Sequence, residues 1–374
     1  MAKKAYIGVG GVARKVKKGY VGVDGVARKI KKAYIGIGGV ARPCWSGGEL
    51  ANYGVITPLS VNRNDFIATG IENYALFAGG VNSGEYKSSV DAYDKTLTRI
   101  TATPISVAKR GISAASFNGY ALFAGGYGAA KEENTVDAYN ASLTKTILPA
   151  MRSKHGYGIG TATNAHALFA GGYNGTISGG YSYTTEAVDG YNSDLTLVAV
   201  PNMSAGRFQL SGGSIENYGL FAGGHNAQSK AYHSTVDVYD EALTHTTAAS
   251  LNTAIDLAGA ANTSGHLLFA GGKNASGSVD TANAYGETLT KTNVENLSVA
   301  RSYPGGGSVG EFALFVCGTA STGSVATADA YSGDLIRTTS PEATYTKTIN
   351  GVASVGDFTL YAHSGEVVEA YTVV

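Results

Sequence analysis

The sequence is poor in cysteine, proline, tryptophan and charge. Its 374 residues include two cysteines, seven prolines and one tryptophan, and 15% of them are charged. The two cysteines, Cys44 and Cys317, cannot build the disulfide framework of a small secreted domain. No run of 18 apolar residues is present, so we expect no membrane span. No apolar stretch follows the basic N-terminal residues, so we expect no signal peptide and synthesis in the cytoplasm.

The sequence also lacks the residue patterns of common catalytic and metal sites. It holds seven histidines, none at the spacing of metal ligands. Matches to Gly-X-Gly-X-X-Gly arise by chance among 52 glycines, and no helix follows them to hold a phosphate. Copper chemistry that uses a cysteine beside a ligand tyrosine would need more ligands than accompany Cys317. We therefore expect no enzyme, no metal site and no cofactor.

Glycine and tyrosine are abundant, with 52 and 24 residues, and they stand among many Ala, Thr and Ser. This composition, with frequent turn signals and nothing typical of a long helix, predicts an all-β protein. The segment 120–126, YALFAGG, recurs in seven related copies, which indicates a repeat architecture. The aromatic residues of the copies lie 46 to 52 residues apart, at Phe77, Phe123, Phe169, Phe221, Phe269, Phe315 and Tyr361.

A second marker keeps the phase of this repeat. Each aromatic residue is followed by an Asp-X-Tyr motif or a close variant, with Asn283 or Glu369 in place of the acid in two copies. We interpret each repeat as four strands, of which the first is rich in Gly and Ala. Small residues suit a strand that lies on an axis where seven strands converge. The Asp and Tyr positions recur in every repeat, so we expect them to serve the scaffold through a turn or a hydrogen bond between repeats.

Residues 1–46 differ from the rest of the chain. Three 14-residue units place the pairs Gly10-Gly11, Asp24-Gly25 and Gly38-Gly39 between β-branched residues, as type I′ hairpins require. We expect a four-stranded meander with three tight turns. Residues 1–42 carry eleven basic residues and one acid, a charge of +10 that the rest of the chain balances. Lysine pairs open the units at Lys3, Lys4, Lys17, Lys18, Lys31 and Lys32.

The repeats predict how the second part of the chain, residues 51–374, closes. Residues 51–60 (ANYGVITPLS) align with the last strand of a repeat, 97–106 (LTRITATPIS), but no earlier strands precede them. Residues 351–374 supply three strands and then the chain stops. We therefore expect strand 51–60 to complete the last sheet, which would remove two exposed sheet edges.

The repeats resemble the Kelch-type β-propeller across residues 51–374. The resemblance rests on the double glycine after the second strand, as at Gly125-Gly126, and on the later tyrosine. The tryptophan that Kelch repeats usually carry is missing, and a Leu-Thr pair stands in its place. The resemblance implies a seven-bladed propeller. Kelch propellers include both enzymes and binding modules, so the resemblance does not decide the function.

The basic units and the repeat phrasing also resemble structural proteins of tailed phages and prophages of Gram-positive bacteria. This resemblance implies a non-enzymatic component of a virion or tail, involved in structure or host recognition. The basic arm would then attach the protein to other virion or tail proteins. Binding of the arm to nucleic acid is not expected, because no recognition helix is present. The sparse apolar content of the arm predicts that it packs either on the propeller or on a partner subunit, and the second alternative would make the protein a homo-oligomer.

One basic position recurs 14 residues before each repeat aromatic. Six of the seven positions hold a residue that can be cationic: Arg63, Lys109, His155, Arg207, Arg301 and Lys347. The seventh holds Ile255. If they form a ring around one mouth of a channel, they would attract an anionic ligand. The alternative is that each pairs with a neighbouring acid or carbonyl as part of the repeat.

The loops after the second strands vary most between repeats. They hold tyrosine, histidine, lysine and asparagine, and their candidate ligand-binding residues are Tyr127, Tyr173, His225 and Lys273. Aromatic faces and polar side chains suit a sugar, so the sequence favours binding of a bacterial surface glycan. Two alternatives stay open. One is a carbohydrate-active enzyme on a Kelch scaffold, and the other is a decoration protein without a ligand.

Overall fold

A computed structural model describes residues 49–176 and 182–374, together with the backbone of six strands between residues 6 and 46. Within these ranges every regular element is a β-strand. The strands of residues 6–46 form three two-stranded hairpins, which are Tyr6–Val9 with Val12–Lys15, Gly19–Val23 with Val26–Ile30, and Lys32–Ile37 with Val40–Ser46.

Each hairpin pairs across one of the three predicted turns. In the first hairpin Val9 faces Val12, which leaves two residues for the turn. The turn pairs themselves lie outside the described residues, as do the lysine pairs that open the units, except Lys32, whose backbone begins the fifth strand. The expected single four-stranded sheet is not what the described strands form. Their pairing is local, because each strand pairs with the strand across its own turn.

Residues 50–373 form seven four-stranded antiparallel sheets, which we number in chain order. Sheet 1 consists of Ile67–Ile71, Tyr74–Ala78, Val90–Asp94 and Arg99–Ala102. Sheet 2 consists of Ser113–Phe117, Tyr120–Ala124, Val136–Tyr139 and Lys145–Leu148. Sheet 3 consists of Ile159–Ala162, His166–Ala170, Val188–Asn192 and Leu197–Ala199.

Sheet 4 consists of Ser211–Ile215, Tyr218–Ala222, Val236–Tyr239 and His245–Ala248. Sheet 5 consists of Gly259–Thr263, His266–Ala270, Ala282–Gly286 and Lys291–Asn293. Sheet 6 consists of Gly305–Val309, Phe312–Val316, Ala328–Tyr331 and Arg337–Thr339. Sheet 7 joins Ile349–Val355, Phe358–His363 and Val368–Val373 to Leu50–Ile56.

The fourth strand of sheet 7 comes from the other end of the repeat region. Leu50–Ile56 pairs antiparallel with Val368–Val373, so that Ile56 faces Val368 and Leu50 faces Val373. The sequence analysis expected segment 51–60 to supply this strand. The backbone amide of Glu49 also bonds to the carbonyl of Val374 at 3.0 Å. This pairing satisfies the backbone edge that the three C-terminal strands would otherwise expose.

The first strands of neighbouring sheets contact one another in sequence, and the first strand of sheet 7 contacts that of sheet 1. The sheets therefore close in a ring, and the fold is β-propeller-like. The first strands surround a cavity of about 510 Å³. Small residues line it because the strands are crowded: a Cβ added at Gly160 would lie 2.2 Å from the carbonyl oxygen of Ala114 in the next sheet.

Short ribbons extend from the ends of the second strands on one face. They are Val81–Asn82 with Glu85–Tyr86, Lys109–Arg110 with Tyr127–Gly128 and Lys131–Glu132, Tyr173–Thr176 with Ser182–Thr184, Lys273–Asn274 with Gly277–Ser278, and Thr319–Ala320 with Gly323–Ser324. Gly79 and Gly80, like the equivalent pairs, adopt positive φ at the start of these ribbons, which explains the recurring double glycine.

The repeat aromatics and tyrosines form the core of each sheet. In sheet 1 the rings of Phe77 and Tyr93 meet edge to face with centroids 5.6 Å apart, and every sheet has the equivalent pair. The hydroxyl of Tyr93 donates to the carbonyl of Thr57, on the neighbouring sheet, at 2.8 Å. All seven tyrosines make this bond, at 2.6–3.2 Å. These bonds confirm the scaffold role predicted for the tyrosines.

Candidate functional site

The basic position that precedes each first strand lies inside the protein. Arg63, Lys109, His155, Arg207 and Arg301 have fully buried side chains. The guanidinium of Arg63 lies 2.9 Å from the carboxylate of Asp91, in the Asp-X-Tyr motif of the same sheet, and donates to the carbonyl of Phe77 at 3.0 Å. The cation therefore pairs with the acid that the register sets opposite the repeat aromatic.

The other two arginines at this position repeat the arrangement. Arg301 lies 2.9 Å from Asp329, and Arg207 pairs with Asp237. Lys109 donates to the carbonyl and hydroxyl oxygens of Thr135 at 3.1 and 2.7 Å. Burial lowers the pKa of Lys109 to about 8, against the opposing charges of Asp137 and Glu133.

The remaining three positions depart from this pairing, and the ring nitrogens of His155 have no hydrogen-bond partner among the described residues. Burial lowers the pKa of His155 to about 4, so its ring is neutral at pH 7. Where Ile255 replaces the cation, Asn283 replaces the acid, and both side chains are buried. In sheet 7 Lys347 is exposed, and His363 takes the buried place, 3.1 Å from Glu369. The three arginines and Lys109 therefore bond inside the sheets, as the alternative in the sequence analysis held, and five of the six candidate cations are buried and do not form an exposed ring.

The residues that follow the basic position form a different structure, which we call the rim. The rim consists of the second residue after the basic position in sheets 1 to 6: Asp65, Gly111, Tyr157, Gln209, Leu257 and Tyr303. All six adopt left-handed φ angles of 51–59°. Each backbone amide from Gly111 onward donates to the carbonyl of the preceding rim residue, at 2.7–3.3 Å, and the amide of Asp65 donates to the Asn350 side chain at 2.8 Å. The rim therefore holds its side chains at one end of the axial cavity.

Two further positions lie beside the rim and pair with each other. The first residue after the basic position pairs with the residue after the double glycine. The pairs are Asn64 with Val81, Arg110 with Tyr127, Gly156 with Tyr173, Phe208 with His225, Asp256 with Lys273, and Ser302 with Thr319. These pairs and the rim differ from sheet to sheet, whereas the interior residues recur. Side-chain differences on a regular backbone are typical of a recognition surface.

Four of these side chains and Tyr232 form a continuous aromatic run across sheets 3 and 4. The ring centroids of Tyr157 and Tyr173 are 5.9 Å apart, those of Tyr173 and Phe208 4.2 Å, and those of Phe208 and His225 5.3 Å. Tyr232 stacks on His225 at 4.7 Å. Burial and the charges of Lys230 and Lys273 lower the pKa of His225, so its ring is neutral at pH 7. The aromatic run is therefore uncharged at pH 7, and its members other than the buried Phe208 are partly exposed.

Polar groups stand at both ends of the aromatic run. At one end Asp65 accepts a hydrogen bond from Arg110 at 3.2 Å and lies 3.4 Å from the hydroxyl of Tyr157. The Arg110 guanidinium lies over the Tyr157 ring, 5.9 Å from its centroid. At the other end Asp256 is buried, and burial raises its pKa to about 6, against the opposing charge of Lys273.

The structure brings together some of the sequence candidates and separates others. Tyr173 and His225 belong to the aromatic run, and Lys273 lies at its Asp256 end. Tyr127 lies outside the run, and its ring contacts that of Tyr86 with centroids 6.2 Å apart. Sequence reasoning missed Tyr157, Phe208 and Asp256. Their signal was variation: at a fixed phase of a regular repeat, these positions hold a different residue in nearly every copy.

The described ranges hold neither a cluster of metal-ligating side chains nor a membrane-spanning helix. No group of three or more His, Cys, Asp or Glu side chains in these ranges is placed to hold a metal ion. Within the same part of the chain, no helix is long and apolar enough to span a membrane. The site consists of an aromatic surface with a paired carboxylate, Asp65, at one end and a buried carboxylate, Asp256, at the other.

Comparison with known proteins supports the fold. No protein-family model matches the chain, and no curated protein matches it. Among solved structures the chain is similar to one described as "Structure of YjhT", with a TM-score of 0.60. The two share 14% sequence identity, over 76% of this chain and 99% of that one. At that identity the likeness shows the fold alone, and it agrees with the β-propeller-like ring of sheets.

Proposed function

We propose that this chain is a non-enzymatic binding protein that holds a saccharide on the aromatic run of a seven-bladed, Kelch-like β-propeller. The seven four-stranded sheets and the ring of contacts between their first strands support the blade count. The single observation that carries the function is the run from Tyr157 to Tyr232. Its partly exposed ring faces suit the C–H surface of a sugar, and the flanking polar groups suit its hydroxyls.

The hairpins of residues 6–46 act, in this proposal, as the part that attaches the propeller to a larger particle. The excess of lysine and arginine in this segment supports docking on an acidic protein surface. A phage or phage-like particle, whose proteins the sequence resembles, is the proposed location, and a bacterial surface glycan is the proposed target. Mass spectrometry of purified particles from a host that encodes the protein tests this location.

A glycan array with neutral, amino and acidic oligosaccharides tests the binding function. The full chain should bind members of the array, and Tyr173→Ala and Tyr232→Ala should each weaken binding about tenfold, because each removes one stacking surface. Tyr53→Ala is the matched control, since Tyr53 is 59% exposed on the outer strand of sheet 7, away from the aromatic run. A protein that binds no member, or whose binding is equally reduced by Tyr53→Ala, would contradict the proposal and favour a decoration protein without a ligand.

A further inference from the structure

The Asp256 carboxylate lies at the end of the aromatic run, and its hydrogen-bonding capacity is only partly used. Its side chain is 2% exposed, and its Oδ1 atom has no hydrogen-bond partner among the described residues. The backbone of Asp256 is fixed by two 3.0 Å hydrogen bonds with Lys273. The charge of Asp256 contributes to the raised pKa values of Tyr173, Tyr232 and Tyr303, so the three phenols face it from the neighbouring elements.

The fold does not require an acid at this position. The equivalent residues of the other sheets are Asn64, Arg110, Gly156, Phe208 and Ser302, and the same backbone pairing forms at each of them. A buried carboxylate without a donor lowers stability, because it loses its hydration and gains nothing in return. An unpaired polar group of this kind on a recognition surface calls for a donor that the protein itself does not supply.

We propose that Asp256 accepts a hydrogen bond from a hydroxyl group of a neutral saccharide bound on the aromatic run. The inference rests on the proposed function and assigns the chemical class of its ligand. Lys273 is the cation next to the carboxylate, because its backbone pairs with that of Asp256 and its charge acts on the carboxyl group. Its side chain is partly exposed, and no hydrogen bond or ion pair within the described ranges holds it in place.

The charges around Asp256 favour a neutral donor over an ionic one. Lys273 acts on Asp256 with a charge of opposite sign, and Lys230 and Lys273 both act on His225. An ammonium group would approach these two lysines, and an anionic group would approach the carboxylate. A hydroxyl group escapes both repulsions and still makes a strong hydrogen bond, because the acceptor is charged.

The site should also respond to pH in a defined direction. The pKa of Asp256 is raised to about 6 by burial, so the carboxylate that accepts the bond is present above that pH and is lost below it. The pKa values of the nearby phenols, Tyr173, Tyr232 and Tyr303, are raised by burial, so these groups stay protonated between pH 5.0 and 7.5. Affinity should therefore fall about tenfold between pH 7.5 and pH 5.0, one factor of ten for each unit below the pKa.

The experiment measures binding of the full chain to the neutral, amino and acidic members of the array at pH 7.5 and 5.0. The wild-type protein should bind neutral members best and more weakly at pH 5.0. Asp256→Asn should bind about tenfold more weakly at pH 7.5, because a charge-assisted bond becomes a neutral one, and should lose the pH dependence. Glu85→Gln is the matched control, since this exposed carboxylate lies on the same face and should leave both properties unchanged.

The remaining outcomes separate the inference from the proposed function. If Tyr173→Ala weakens binding but Asp256→Asn changes neither affinity nor pH dependence, the inference is overturned and the function stands. If amino or acidic members bind better than neutral ones at pH 7.5, the assignment of a hydroxyl donor is overturned. If no member binds at either pH, the proposed function and the inference fall together.

Discussion

The interior of the sheets and the rim face differ in how they use one regular backbone. Inside, the same residues return in almost every sheet: an aromatic residue, an acid opposite it, and a tyrosine bonded to the neighbouring sheet. On the rim face the backbone repeats just as regularly, with six left-handed residues joined by hydrogen bonds, but the side chains are Asp, Gly, Tyr, Gln, Leu and Tyr. The residues that repeat therefore stabilise the ring of sheets, and the residues that vary form the surface that the ring exposes for recognition.

The largest expected effect comes from breaking an interior pair. Arg63→Ile leaves Asp91 buried without its nearest cation, so the free energy of unfolding should fall by about 3–5 kcal/mol in chemical denaturation. The protein itself supplies the design of a control, because Ile255 and Asn283 occupy the same two positions in sheet 5. The double variant Arg63→Ile with Asp91→Asn should therefore recover much of the loss. A double variant as unstable as Arg63→Ile alone would show that the arginine acts by its packing and not by its charge.

A smaller effect of opposite sign is expected at the rim face. Burial raises the pKa of Asp256 to about 6 in the folded protein, above the 3.8 of an exposed aspartate, so the folded state holds a proton more tightly than the unfolded state. The associated stability is present below pH 3.8 and is lost as the pH rises through 6. Asp256→Asn should therefore raise the free energy of unfolding by about 2–3 kcal/mol at pH 7.5.

The pH series provides the check on this prediction. The gain from Asp256→Asn should shrink as the pH falls from 7 to 4, and Glu85→Gln should show no such trend. Equal stability of wild type and Asp256→Asn at pH 7.5 would mean that the carboxylate carries no penalty. If Asp256 lowers stability at neutral pH and also supports binding, the rim face is a functional site that is not optimised for stability, which is a common pattern in proteins.

Sequence reasoning succeeded where the physical requirement repeats. The all-β class, the small residues of the axial strands and the scaffold tyrosines follow from local patterns that recur seven times. It did not decide between an exposed ring of cations and internal pairs, because Arg63 and Asp91 are far apart in sequence and meet only through the sheet register. The replacement of both the cation and the acid in one repeat, by Ile255 and Asn283, was a readable sign that the two positions are partners.

The aromatic run could not be predicted from periodicity, because its members do not repeat. Tyr157 and Phe208 occupy different phases of different repeats, and they meet Tyr173 only because the left-handed rim turns each chain segment toward the next sheet. Only the loop candidates Tyr173 and His225 were found from composition. A repeat therefore predicts its own scaffold well and its recognition surface poorly, since selection for a ligand acts on the places where the copies differ.

The smallest effect is expected from one chemical change made in both regions. Tyr139→Phe removes an interior hydroxyl that donates to the carbonyl of Thr103 at 2.7 Å, and it leaves the contact with Phe123 intact. The free energy of unfolding should fall by about 1 kcal/mol, the net contribution of one hydrogen bond.

Tyr157→Phe removes a rim hydroxyl that lies 3.4 Å from Asp65, whose carboxylate already accepts a bond from Arg110. This bond is long and its acceptor is partly exposed, so the change in stability should stay within about 0.5 kcal/mol. Chemical denaturation of the two variants side by side makes the measurement. An equal loss in both would contradict the division between a structural interior and a rim that is free to vary.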